Sequence, residues 1–346
     1  MAIPESSDRK DPDTGAPERK KDHIDLAFRS ALEAGKLDTR FYYEPALAAH
    51  PCDTSGLTLN FAGKRLGAPV WISSMTGGTA MAKKINENLA RACGDFRLGM
   101  GLGSCRQLLY SDEYLEDFRV RKLVGDQPLW ANLGIAQVEQ LVDQNKTDQI
   151  RILIDKLEAD GLIIHINPMQ EWFQPEGDRF RIAPVETIAR LMEKTDLKIM
   201  VKEVGQGMGP ESLRQLMKLP LEAIDFGAAG GTNFSFLEIL RASEKTGDNY
   251  SSLAATGHTA EEMTGFVNRV IAEEGRSILC RQVIVSGGIS GFLDGYYHLS
   301  RLTIPAVYGQ ASSMLKYAIN SYESLCEYVD MQLQGLAMAK TYLKVK

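Results

Sequence analysis

Cysteine is scarce in this chain of 346 residues. Cys52, Cys93, Cys105, Cys280 and Cys326 form an odd set with no CxxC pair. A disulfide framework is excluded, and a zinc site of known ligand spacing is not expected. The thiols instead fit a reducing, cytoplasmic setting. Long apolar runs are also missing. None approaches the about 18 residues of a membrane span, and the opening MAIPESSDRKDPDTGAPERKK lacks the apolar stretch of a signal peptide. Positive charge is not in excess: 39 Lys and Arg stand against 45 Asp and Glu, a net charge of −6. Nucleic-acid binding by bulk electrostatics is therefore not expected. There is no HExxH and no Ser-His-Asp arrangement. What is present is an ordinary globular composition, 44% hydrophobic and 24% charged, long enough to bury a large core.

Residues 1–17, rich in Pro, Asp, Ser and Gly, read as a disordered tail. Residues 18–66 form an N-terminal arm and barrel entry; helix-compatible residues run from Ile24 to Ala34, with Gly35 as a stop. From residue 67 to 346 a pattern repeats: a short apolar run ends in Gly, Ser, Thr or Asn, and a segment of helical spacing follows. The runs are PVWISSM (69–75), RLGMGLGS (97–104), PLWANLG (128–134), GLIIHIN (161–167), KIMVKEVG (198–205), LEAIDFG (221–227), QVIVSGG (282–288) and PAVYGQA (305–311). Apolar strands alternating with amphipathic helices imply a parallel sheet. Eight of them predict an α/β fold of the (β/α)8 TIM-barrel type, with an N-terminal arm and a C-terminal helix over SYESLCEYVDMQLQGLAMAKTYLKVK. An open doubly wound sheet is the alternative, but no GxGxxG follows the first strand.

Polar and glycine residues at the C-terminal ends of barrel strands line the catalytic face. Here these include Ser74, Met75 and Thr76, then Ser104, Asn132, His165, Asn167, Lys202, Thr232, Gly287, Gly288 and Gly309. The last two glycine-bearing ends, SGG (286–288) and YGQA (308–311, with Gln310 and Ala311), lie where barrels often hold a phosphate. A phosphate there, with donors from the earlier strands, suggests FMN across the mouth. Its ring would contact Met75, Thr76, Ser104 and Asn132, and Lys202 would face the pyrimidine edge. A Lys202–Glu203 ion pair is disfavoured, because neighbours on a strand point to opposite faces. The cluster His165, Asn167, Gln170 and Glu171 is the densest polar group; Glu171 could hold a divalent cation, or the segment could be an ordinary loop. Arg19, Lys20, Lys21 and His23 read as a solvated charge run or as an arm for an anionic substrate. Cys105 reads as a small buried residue rather than a nucleophile. His258 reads as a helix-entry residue, since Thr259 and Glu262 form a TxxE capping box.

These residues resemble the type 2 isopentenyl-diphosphate isomerase family. The matching pieces are RKKDHI (19–24), ISSMTGG (72–78), ANLG (131–134), HINPMQEWFQPEGDR (165–179), VKEVGQGM (201–208), GGTNF (230–234) and SGG (286–288), in family order over nearly the whole chain. The resemblance implies interconversion of isopentenyl and dimethylallyl diphosphate by an FMN-dependent barrel. Reduced FMN would be the proton donor and acceptor, NADPH the reductant and Mg2+ the metal. It implies that Arg19, Lys20, His165 and Asn167 bind the diphosphate and that Gln170 lies beside the alkene, with Gln170 and His165 catalytic. Glu171 would bind Mg2+. Ser74, Met75, Thr76, Ser104, Asn132, Lys202, Thr232, Gly287, Gly288, Gly309, Gln310 and Ala311 would hold the flavin. It further implies a homo-oligomer, tetrameric or octameric, with a small-molecule partner and no nucleic acid or membrane. The chain departs from the family at Cys105 (usually Gln), at Gly227 (usually Ser), at AATGHT (254–259) and at Ser290-Gly291 (usually Arg-Thr). An α-hydroxy-acid oxidase, with His258 and Arg281 as its weak candidates, and a flavin-binding barrel without catalysis remain alternatives.

Overall fold

The structure, a computed structural model, describes residues 16–73, 80–241 and 250–346. The chain divides into two compact units, residues 1–42 with Lys346, and residues 43–345. Residues 43–66 fall in the second unit. Most of the expected tail lies outside the described residues, but Ala16 already opens a helix.

In the first unit that helix spans Ala16–Leu26 and stops well before Gly35. The N–H groups of Arg29 and Ser30 both fold back onto the Leu26 carbonyl at 2.9 Å. Ile24, Phe28 and Leu32 are all largely exposed. A short helix with no buried apolar face has little to extend it, which is why the helix-compatible spacing beyond residue 26 yields turns.

The second unit is built on eight parallel strands: β1 (Val70–Ile72), β2 (Gly99–Gly101), β3 (Leu129–Gly134), β4 (Gly161–Ile166), β5 (Ile199–Glu203), β6 (Ala223–Asp225), β7 (Val283–Ser286) and β8 (Ala306–Gln310). They close into a barrel in chain order, with β8 pairing β1. Each coincides with one of the eight apolar runs. Both faces of every strand are buried, so the runs are nearly continuous rather than alternating.

Alternation still decides what points inward. Trp71, Trp130, Ile163, Met200, Ile284 and Val307 fill the barrel interior together with Phe61 and Leu66. The two tryptophans fit because glycines face them: a Cβ at Gly161 would come 2.5 Å from the Trp130 ring, and one at Gly99 would overlap Trp71. The floor is an antiparallel hairpin, Leu59–Phe61 with Lys64–Leu66. Its two-residue turn has Ala62 at φ 50° and Gly63 at φ 74°, the paired positive values that match strand twist. Two residues further along each strand, the same inward phase brings up Ser73, Gly101, Asn132, His165, Lys202, Asp225, Ser286 and Gly309 at the opposite end. Period two therefore converts an apolar plug into a polar ring.

The C-terminal helix Tyr322–Tyr342 buries Leu325, Val329, Leu333 and Leu336 against the barrel's helical layer. Among the described residues no helix is long and apolar enough to cross a membrane.

Candidate active site

Two hollows share the C-terminal mouth of the barrel. The first, about 640 Å³ including its open mouth, lies over the ends of β5 to β8 and is lined by Lys202, Gly227, Thr232, Ser286–Gly288 and Gly309–Ser313. Gly287 and Gly288 have φ of 87° and 71°, a conformation that favours glycine. A Cβ on Gly230 would come 3.1 Å from the Gly288 Cα, so the loops after β6 and β7 meet backbone to backbone. The helix Ser312–Asn320 starts at this wall with no side-chain cap from Ala311, leaving first-turn N–H groups available to an anion. Ser73 presents a buried hydroxyl with no hydrogen-bond partner. A side chain at Gly309 would crowd it at 2.6 Å.

The second hollow, about 510 Å³, is lined by Gly103, Ser104, Asn132, His165 and Gln170, and shares Lys202, Val204 and Phe234 with the first. Lys202 stands between the two. Its Nζ donates to the Glu203 carbonyl at 2.6 Å, not to the Glu203 carboxylate. That carboxylate faces the other side of the strand and accepts the N–H groups of Gly205, Gln206 and Gly207 at 2.7–2.8 Å. Burial pushes its pKa up, against the pull of those N–H groups. The opposite-face expectation from sequence is met.

Asn132 Nδ2 donates to the Leu102 carbonyl at 3.1 Å, which turns its Oδ1 toward His165 Nδ1, 2.7 Å away. This network assigns the proton to Nδ1 and leaves Nε2 as an acceptor. Burial first, and the Lys202 ammonium second, push the His165 pKa down to about 4. The imidazole is therefore neutral near pH 7.

Beyond β4, Pro168 starts the short helix Pro168–Phe173. One turn brings Asn167, Gln170 and Glu171 together: Asn167 Nδ2 donates to Gln170 Oε1 at 3.0 Å and to Glu171 Oε1 at 3.1 Å. Glu171 is buried, and its Oε2 accepts the Asp178 N–H at 2.7 Å. Asn167 Oδ1 is buried without a partner. The Glu171 carboxylate supplies hard oxygens of the kind that suit Mg2+.

The barrel unit brings the expected residues of strands two to eight to one mouth. Ser74, Met75 and Thr76 lie outside the described residues. Arg19 and Lys20 lie in the N-terminal unit, on its exposed helix. Cys105 is buried and its thiol pKa is pushed up by burial to about 12, so the inert reading holds. At Gly227, φ is 51° and a Cβ would overlap the Glu203 carbonyl oxygen; this backbone admits no serine without moving. Ser290 turns away to Asp294, which also accepts its N–H at 2.9 Å. Segment 254–259 contributes backbone groups: Ala254 O accepts Asn233 Nδ2 at 2.8 Å, and His258 is joined through its main chain to Gln206 and Ala229. His258 packs edge-on against Phe266 beside the Thr259–Glu262 capping box. Arg281 precedes β7, at the floor end of the barrel, and donates to Gly275 O. The oxidase pair is not assembled.

Sequence reasoning overlooked Ser73, Asp178 and Asp225. Asp225 is buried in the polar ring, in register with Lys202 and hydrogen-bonded by Ser286. Burial pushes its pKa up, opposed by Lys202. The signal was the acid in the apolar stretch AIDF (223–226).

No protein-family model matches the chain. Among solved structures it is similar in fold to a flavocytochrome b2 variant with benzoylformate (TM-score 0.59, 16% identity, 88% of this chain and 76% of that one). A mandelate oxidase variant with the monooxide FMN adduct is also similar (TM-score 0.56, 15% identity, 89% and 88%). Curated relatives named isopentenyl-diphosphate delta-isomerase are much nearer in sequence. The Rickettsia typhi protein is 32% identical over 325 residues, 92% of this chain and 91% of its own. The Rickettsia prowazekii protein is likewise 32% identical, with the same coverage. With the barrel, the mouth residues and this full-length identity in agreement, the chain belongs to the isopentenyl-diphosphate delta-isomerase family, in its barrel-fold, type 2 branch.

Proposed function

We propose that the chain interconverts isopentenyl and dimethylallyl diphosphate, with FMN in the first hollow and the substrate in the second. The observation that carries this is that the two hollows share Lys202, Val204 and Phe234, so that a flavin in one would lie beside a substrate in the other. FMN fits the residues present. The glycine loops after β6 and β7 leave backbone-lined space, the Ser312–Asn320 helix offers uncapped N–H groups, and the Ser73 hydroxyl lacks a partner. Thr232, Gly287, Gly288, Gly309, Gln310 and Ala311 would hold the phosphate side, and Ser104, Asn132 and Lys202 the ring. When bound, reduced FMN supplies an electron-rich proton donor and acceptor at the substrate carbons.

The protein's own groups do the rest. His165 and the Asn167 amide hold the diphosphate; His165 Nε2, an acceptor in the neutral ring, donates to the anion once the imidazole takes up a proton. Among the described residues no three His, Cys, Asp or Glu side chains converge. A Mg2+ at Glu171 would therefore complete its shell with diphosphate oxygens and water. The diphosphate supplies remote binding energy that positions an otherwise featureless alkene. The Gln170 amide lies at the alkene, and Val204 and Phe234 give that end an apolar wall against water. Lys202 adds positive charge where the reduced ring carries negative charge. NADPH as reductant, a cytoplasmic location and a homo-oligomer belong to the same proposal.

Glu171→Gln is expected to cut Mg2+-dependent turnover by at least about tenfold while leaving the flavin spectrum and FMN affinity unchanged. Full activity in that variant would refute the metal assignment.

A further inference from the structure

The carboxylate of Asp178 joins three loops of the mouth. Its Oδ2 takes a hydrogen bond from Gln137 Nε2 at 3.0 Å and pairs with Arg106 at 3.0 Å. Its Oδ1 takes a weaker bond from Gln140 Nε2 at 3.4 Å. Arg106 follows β2, and Gln137 belongs to the helix Ile135–Asp143 that follows β3. Gln137 in turn accepts the Gly134 N–H at 3.1 Å, at the very end of β3. Asp178 itself lies on the loop after β4, and its backbone N–H is the 2.7 Å donor to Glu171 Oε2. Gly177 just before it runs against the Glu171 carbonyl, where a Cβ would overlap. The residue thus has two ends: the backbone aims Glu171, and the side chain fixes that backbone to the two preceding βα loops.

We infer that Asp178 is a positioning residue for Glu171: its side chain anchors the loop whose N–H orients the Glu171 carboxylate. This rests on the reading of Glu171 as the cation's ligand. Without the anchor, Glu171 Oε2 loses its donor and the carboxylate gains rotamers, so the cation is held less often in the right geometry. Groups that orient a metal ligand typically govern affinity by about 10–100-fold. Asp178→Ala removes all three side-chain contacts. Asp178→Asn keeps the size and one acceptor but loses the charge facing Arg106.

The test measures binding of inorganic pyrophosphate to the full-length protein by equilibrium dialysis, with and without Mg2+. The ratio of the two affinities isolates the cation's share. In the natural sequence Mg2+ is expected to tighten pyrophosphate, and Glu171→Gln is expected to abolish that gain. Asp178→Ala should lower the gain about tenfold and Asp178→Asn by less. A purely structural role would lower the unfolding temperature while leaving the ratio intact, and an intact ratio in folded Asp178→Ala overturns the inference. Should Asp178→Ala fail to fold, Asp178→Asn decides: a reduced ratio supports the role and an unchanged one overturns it. If the natural protein shows no Mg2+ gain, the cation reading fails and this inference falls with it.

Discussion

At the scale of single residues, the site works through charges held in fixed relation. Lys202 is in register with His165 on one side and Asp225 on the other, so its ammonium favours a neutral imidazole and an ionised Asp225. The pH consequence has a definite sign. His165 ionises at about 4 in the folded protein against 6.5 in the unfolded chain. Between these values the unfolded chain binds more protons, so stability falls as pH drops from 6.5 toward 4. Imidazole NMR should show His165 still neutral at pH 6. His165→Gln should remove that part of the acid destabilisation; a His165 titration near 6.5 would contradict the packing described. Gly227 makes a second prediction. Gly227→Ser, the family's usual residue, forces a side chain at φ 51° onto the Glu203 carbonyl. The left-handed backbone alone costs about 1–2 kcal/mol, and urea unfolding should register at least that. A neutral change would mean that the loops after β5 and β6 readjust freely.

At the scale of elements, the strands were legible because each has a single requirement. A parallel strand buried on both faces needs an apolar run, and its C-terminal end needs a residue that can turn or donate. VWI, LWANLG and GLIIHI satisfy this locally. The helix Ala260–Glu274 was legible at its start, through the Thr259–Glu262 box; Gly275 at φ 55° follows its end. Two kinds of feature were not. The N-terminal helix ends at Leu26, where its apolar side chains Ile24 and Leu26 are exposed, and propensity does not report packing. Asp178 and Asp225 owe their roles to loops and strands brought together by barrel closure. Gln137 is 41 residues from Asp178 and Ser286 is 61 from Asp225, and no short motif encodes such pairs. The departures at 254–259 and Ser290 were visible as letters, but only the contacts reveal that backbone groups occupy those positions.

At the scale of the whole barrel unit, stability and chemistry sit at opposite ends of the same strands. Phe61 and Leu66 close the floor over Trp71, with the Phe61 and Trp71 rings 5.9 Å apart edge to face. The mouth carries the polar ring and both hollows. Phe61→Ala should therefore cost about 3–5 kcal/mol of stability while leaving FMN affinity in the folded protein within twofold, read by fluorescence quenching on titration. A parallel fall in affinity would show that floor and mouth are coupled. The most direct measurement is an anaerobic assay with isopentenyl diphosphate, FMN and Mg2+, run with the flavin oxidised and then reduced by NADPH. Dimethylallyl diphosphate formed only with the reduced flavin is the expected result. No product from a folded, FMN-loaded protein would contradict the isomerase reading, and peroxide formed from a 2-hydroxy acid would replace it with an oxidase.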